Sequence, residues 1–166
     1  MHSVKSSDGA TITYDRTGSG PVVILVDGAF CSRAFGPMPK LTPLLADHFT
    51  VIHHDRRGRG ESGDTKPYSV ERELEDLDAL IQVAGGSAHV LGLSSGAALA
   101  LIAAASGLPI MKLAMYDPPF VAVSPSAHRA PVDSVERLAR LIEEGRRGEA
   151  VKYYLTQVMG APRVMY

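Results

Sequence analysis

The chain has 166 residues, 45% of them hydrophobic and 21% charged, a balance ordinary for a single globular domain. Its formal net charge of −1 gives no footing for nucleic acid or for an anionic membrane surface as a partner. No apolar run reaches bilayer-spanning length, the start Met1-His2-Ser3-Val4-Lys5 lacks the apolar stretch of a secretory signal, and the single cysteine, Cys31, cannot close an internal disulfide; together these point to a reducing cytoplasm.

In chain order, Thr11-Ile12-Thr13-Tyr14-Asp15-Arg16 alternates and is rich in β-branched residues, which predicts a strand. Ser3-Val4-Lys5 can pair with it across a turn at Ser7-Asp8-Gly9. After the break Thr17-Gly18-Ser19-Gly20-Pro21, the run from Pro21 to Val26 is continuously apolar, as suits a strand buried on both faces of a parallel sheet. It ends at Asp27-Gly28-Ala29-Phe30. A short helix is predicted over Leu41 to Leu45. A strand over Phe49 to His54 follows and runs into a charged, glycine-rich loop, Asp55-Arg56-Arg57-Gly58-Arg59-Gly60-Glu61-Ser62-Gly63.

Ser69 reads as a helix N-cap. Behind it, Val70 to Ala84 carries Leu74, Leu77, Leu80, Ile81 and Ala84 at helical spacing, and Gly85-Gly86 stops it. A strand from Ala88 to Leu91, an alanine-rich helix from Ala97 to Ala105, and a strand from Met111 to Tyr116 follow, the last stopped by Asp117-Pro118-Pro119. Strands alternating with helices predict a mostly parallel α/β sheet with right-handed crossovers. After Phe120 the pattern changes. The stretch from Ala122 to Pro131 is rich in proline and serine. Asp133 followed by Glu136 resembles a capping box, opening a helix with Val135, Leu138, Leu141 and Ile142 on one face and an end at Gly145; a second helix is predicted over Glu149 to Val158. Two helices in succession depart from the sheet, as the beginning of a lid would.

The chemistry concentrates at Gly92-Leu93-Ser94-Ser95-Gly96, between the strand and the alanine-rich helix. A G-x-S-x-G pattern in a strand–turn–helix context is a nucleophile elbow: the turn is too tight for side chains two residues either side of the serine, and the helix aims its unpaired N–H groups at the serine. The competing reading is a glycine-rich βα turn packed for its own sake.

These motifs, in this order and spacing, resemble the α/β-hydrolase superfamily, over the whole chain and in detail its small bacterial esterase-like and haloperoxidase-like members. The strand ending in Asp27-Gly28, the D-x-R-G-x-G-x-S loop at Asp55 to Ser62, the elbow at Ser94 and Tyr116-Asp117-Pro118-Pro119-Phe120 carry the resemblance. It implies a core over 1–120 and the start of a helical cap over 121–166. It implies a serine hydrolase acting on a small ester-like carbonyl substrate, with Ser94 as nucleophile, the backbone N–H groups of Ala29 and Ser95 as the oxyanion hole, Phe30 lining the substrate pocket, and no metal or organic cofactor. There are two departures. Asp27 stands where His-Gly-x usually begins. The catalytic histidine that follows the last strand in this fold is not in the chain, so the resemblance implies a C-terminally incomplete hydrolase with its last strands missing.

Asp117 has two open readings, the acid of the triad or a turn aspartate before two prolines. Cys31 reads as a small buried thiol, and each of His2, His48, His53, His54, His89 and His128 as a surface or structural histidine. Arg56, Arg57 and Arg59 read as a loop held internally by Glu61 and Asp64, with anion binding as the alternative. The strand Met111 to Tyr116 is expected at an open sheet edge, covered by a second polypeptide or by self-association. Another class remains, a non-catalytic binding protein of the same fold or an inactive fragment. A dinucleotide fold is disfavoured because Gly18-Ser19-Gly20 precedes its strand instead of following one.

Overall fold

A computed structural model describes residues 1–120 and 128–162. Six strands form one sheet: β1 (His2–Lys5), β2 (Thr11–Thr17), β3 (Val22–Val26), β4 (Thr50–His54), β5 (Ala88–Leu93) and β6 (Ile110–Tyr116), in the order β1-β2-β4-β3-β5-β6. β2 runs antiparallel to both β1 and β4, while β4, β3, β5 and β6 are mutually parallel. Three helices connect them: α1 (Met38–Ala46), α2 (Val70–Val83) and α3 (Ser95–Ala105).

The continuous apolar run of β3 is explained by the two layers it separates. Ile24 and Val26 face a core made with Ile52, Val90, Leu77, Leu80, Ile81, Leu99 and Ala100, on the side of α2 and α3. Val23 and Leu25 face Met38, Val51, Leu41 and Leu91, on the side of α1. Side chains alternate along a strand, so a strand covered on both faces cannot show a polar–apolar alternation. Ile24, Leu25 and Val26 are completely buried, each worth about 1.5–3 kcal/mol of apolar burial. At the far edge, among the described residues, β6 pairs only with β5, and Met111, Met115 and Tyr116 are exposed.

The chain divides into two compact units, Met1–Pro119 and Phe120–Tyr166. In the second, α4 (Ser134–Glu143) and α5 (Arg147–Tyr153) are followed by a π-helical turn, Tyr154–Val158, where the sequence predicts one continuous α-helix. On α4 only Leu141 of the predicted apolar face is fully buried; Val135 and Ile142 are exposed. Most of the proline- and serine-rich stretch, and the end at Met165-Tyr166, lie outside the described residues. Both predicted cap positions hold. Ser69 and Asp133 do occupy the N-cap positions of α2 and α4, but neither side chain makes a cap hydrogen bond. No helix among the described residues is long and apolar enough to cross a membrane.

Candidate active site

β5 delivers Ser94 to the carboxyl edge of the sheet and α3 starts at the next residue. Ser94 takes φ 52° and ψ −120°, a conformation costing a side-chain-bearing residue about 1–3 kcal/mol. Its backbone is held on both sides: the N–H donates to Tyr116 O at 2.9 Å, and the carbonyl accepts from Ala97 N at 2.9 Å and Ala98 N at 3.2 Å. The flanking glycines are required by space. A Cβ on Gly92 would lie 2.5 Å from Ala97 Cα, and one on Gly96 would lie 2.2 Å from Val26 O and 2.5 Å from Asp27 O. The second glycine is therefore what lets the N-terminus of α3 close against the end of β3.

That closure brings the loop after β3 onto the serine. A Cβ on Gly28 would sit 3.2 Å from Ser94 Cβ. Gly28 is buried, Ala29 half-buried, and Phe30 is exposed at φ 61°. On the other side, Leu93 pairs with Tyr116, so Asp117 leaves β6 level with Ser94. Asp117 also has a positive φ, 47°, and its side chain is exposed. Beside these residues an apolar hollow of about 380 Å³ is lined by Pro37, Met38, Leu41, Leu91, Leu93 and Tyr116. Phe30 is not among its walls.

The arginine loop is internally held, as the sequence reading favours, but through other carboxylates. Arg56 makes a bidentate pair with Glu73, both bonds 2.6 Å, with both side chains buried. Arg57 pairs with Asp76 at 2.8 and 2.7 Å and reaches Asp8 at 2.9 Å. Glu61 pairs with Arg33 instead, and Asp64 lies 3.5 Å from Lys66. The motif letters have local reasons. Asp55 accepts the Glu61 N–H at 3.0 Å and the Arg33 N–H at 2.7 Å. A Cβ on Gly60 would collide with the Asp55 carboxylate at 2.2 Å. Ser62 donates to Asp55 O at 2.6 Å and accepts from Thr13 N at 2.9 Å.

Two arginines reach from this loop to the site. Arg56 Nη1 donates to Asp27 O at 3.0 Å and to Ser95 Oγ at 3.2 Å, tying the loop after β3 to the start of α3. Arg59 Nη1 donates to Gly28 O at 2.6 Å. Burial would raise the Glu73 carboxyl, but the Arg56 guanidinium outweighs it and holds the group below the usual range.

The Asp27 side chain turns to a histidine: its Oδ2 lies 2.7 Å from His53 Nε2 and both groups are buried. Its Oδ1 is buried without a partner among the described residues. His54 is wholly buried, and burial, then the neighbouring His53 and Arg56, push its pKa down to about 3, so it is neutral at ordinary pH. His89 stacks edge-on with Phe49, and His128 Nε2 lies 2.8 Å from Gln157 O. Cys31 is only half-buried; burial, then the Asp27 charge, push its thiol upward. No group of three metal-ligating side chains occurs among the described residues.

The structure thus brings Ser94, Ser95, Gly28-Ala29 and Asp117 to one sheet edge. Sequence reasoning missed Glu73 and Asp76 as partners of the arginine loop. Their signal was present: they fall on the same helical face as Leu77 and Leu80, where an unpaired carboxylate would not be tolerated.

A family model of the alpha/beta hydrolase family matches residues 18–165. The chain belongs to that family. An alpha/beta hydrolase from Sphaerobacter thermophilus DSM 20745 is 56% identical with a TM-score of 0.92, over 99% of this chain and 63% of that one. A hydrolase from Pseudomonas aeruginosa PA01 is 26% identical with a TM-score of 0.71, over 85% of this chain and 52% of that one. The curated "Uncharacterized hydrolase YraK" of Bacillus subtilis (strain 168) is 35% identical over 97 residues, covering 56% of this chain and 35% of that relative. The chain therefore spans just under two thirds of the Sphaerobacter hydrolase and about a third of the Bacillus one. Among its described residues this alpha/beta hydrolase carries a mixed sheet of six strands.

Proposed function

We propose that the protein is a serine hydrolase that cleaves a small ester-like carbonyl substrate through an acyl-enzyme. The observation carrying this reading is Ser94 at φ 52°, held at the apex between β5 and α3 with Gly28 packed against it. Ser94 Oγ attacks the carbonyl carbon while its proton passes to a histidine. The oxyanion that forms is met by the N–H groups of Ala29 and Ser95, donors typically worth about 3–4 kcal/mol each to the transition state. Collapse expels the protonated alcohol. Water then attacks the acyl-enzyme by the same route and regenerates Ser94.

The histidine belongs to the complete protein, placed by the family's order of serine, acid, histidine. His53, His89 and His128 are engaged elsewhere, and His54 is buried. Asp117, level with Ser94, is the acid that orients it. The apolar hollow beside Leu93 and Tyr116 suits a short apolar group of the substrate. A cytoplasmic site of action is part of the proposal and rests on the lone unpaired thiol of Cys31. The test is a fluorophosphonate probe on the complete protein: labelling is expected in the wild type and abolished in Ser94→Ala. Labelling that survives the substitution overturns the assignment.

A further inference from the structure

Arg59 differs from the other arginines of its loop. Arg56 and Arg57 are each bound bidentately to a buried carboxylate, whereas Arg59 forms no ion pair among the described residues. Burial and then the neighbouring Arg56 lower its pKa, and the nearby Glu73 and Asp27 charges offset this only in part. Its one hydrogen bond among the described residues, 2.6 Å to Gly28 O, is short and charge-assisted.

The carbonyl that Arg59 holds belongs to the peptide unit whose N–H is that of Ala29. In a trans peptide the C=O and N–H point in opposite directions across one rigid plane. A cation fixing the oxygen from one side therefore fixes the N–H towards the other, and by drawing electron density to the oxygen it makes that N–H a better donor. The preceding peptide is held in the same way, by Arg56 on Asp27 O at 3.0 Å. The two peptides of the loop that packs against Ser94 are thus each held at the oxygen by a guanidinium, from residues about 30 positions along the chain.

We infer that Arg59 is a positioning residue for the oxyanion hole, orienting and polarising the Gly28–Ala29 peptide so that Ala29 N–H meets the developing negative charge. It needs no contact with substrate, and its contribution falls on the transition state. The inference rests on the proposed role of Ser94 and Ala29.

The test uses the complete protein with p-nitrophenyl acetate as probe ester and phenylboronic acid as a mimic of the tetrahedral adduct. Arg59→Met is expected to lower kcat by about 10- to 100-fold, below the effect of deleting a donor outright, with KM within about 2-fold. Boronate affinity should weaken by a similar factor. Arg59→Lys, whose ammonium can still donate to Gly28 O, should recover most of the loss. The melting temperature should hold, since no ion pair is broken. If Arg59→Met does not fold, Arg59→Gln replaces it, with the same loss expected from a neutral and shorter side chain. A kcat within about 3-fold of wild type, or a loss confined to KM, overturns the inference. Fluorophosphonate labelling that is independent of Ser94 overturns the serine reading instead, so the two failures are told apart.

Discussion

Arg56–Glu73 in the first unit and Arg146–Glu149 in the second are the same interaction on paper. Both are bidentate, through Nε and Nη2, with bonds of 2.6 and 2.6 Å in one and 2.7 and 2.6 Å in the other. Their surroundings differ: the side chains are 6% and 5% exposed in the first pair, 44% and 59% in the second. Water solvates the second pair whether or not it forms, so its geometry carries little weight. The first pair has left water altogether, so each partner is needed to keep the other from being a stranded buried charge. Bond length does not separate the two; burial does.

The largest effect expected from this contrast is on Arg56. Arg56→Met leaves the Glu73 carboxylate buried without a counter-charge, held only by the Tyr68 hydroxyl at 2.8 Å, and should cost about 3–5 kcal/mol in urea unfolding. It should also lower activity, because Asp27 O and Ser95 Oγ lose their shared donor. Arg56→Met combined with Glu73→Leu should regain most of the stability but not the activity. Arg146→Ala should shift the melting temperature by no more than about 2 °C. Equal losses at Arg56 and Arg146 would break the comparison.

Glycines sharpen it next. Gly96→Ala drives a Cβ into the carbonyls of Val26 and Asp27, backbone atoms that cannot swing aside, and should destabilise by about 2–4 kcal/mol. Gly148→Ala, in α5 with nothing within 4 Å of the added carbon, should instead stabilise by about 0.4–1 kcal/mol. Chemical denaturation of the two variants reads both signs.

The effect of pH is gradual and spread over several units. His54 in the folded chain holds its pKa near 3, while the unfolded chain takes up that proton near 6.5. Between these values the unfolded state binds more protons, so stability falls as pH is lowered, by up to about 1.4 kcal/mol per pH unit from this group. Glu73 and Asp55, held below their usual range, add to the loss once pH falls through the ordinary carboxylate range. Urea midpoints from pH 7 to pH 5 should show this slope, and His54→Gln should flatten it.

Much of the architecture was legible because it depends on local rules. The continuous apolar run at β3, the heptad-like spacing of α2 and the glycine pattern round Ser94 each encode an element and its burial directly. The break into a π-helical turn at Tyr154 was not legible, since the apolar spacing there suits a continuous α-helix equally well. Nor were the missing cap bonds of Ser69 and Asp133, because a cap residue's type states what its side chain can do and not which way it turns.

The sequence by itself determined the kind of site: a serine on a glycine-bounded elbow, a glycine loop after the preceding parallel strand, an aspartate closing the next. Only the tertiary structure decided what supports that site. Glu73 and Asp76 lie 17 and 19 residues from the arginines they neutralise, Asp27 meets His53 across 26, and Arg59 reaches Gly28 across 31. Nothing in a local pattern specifies such partners. They are selected by burial, which leaves each charge to be matched by whichever group the fold brings within reach.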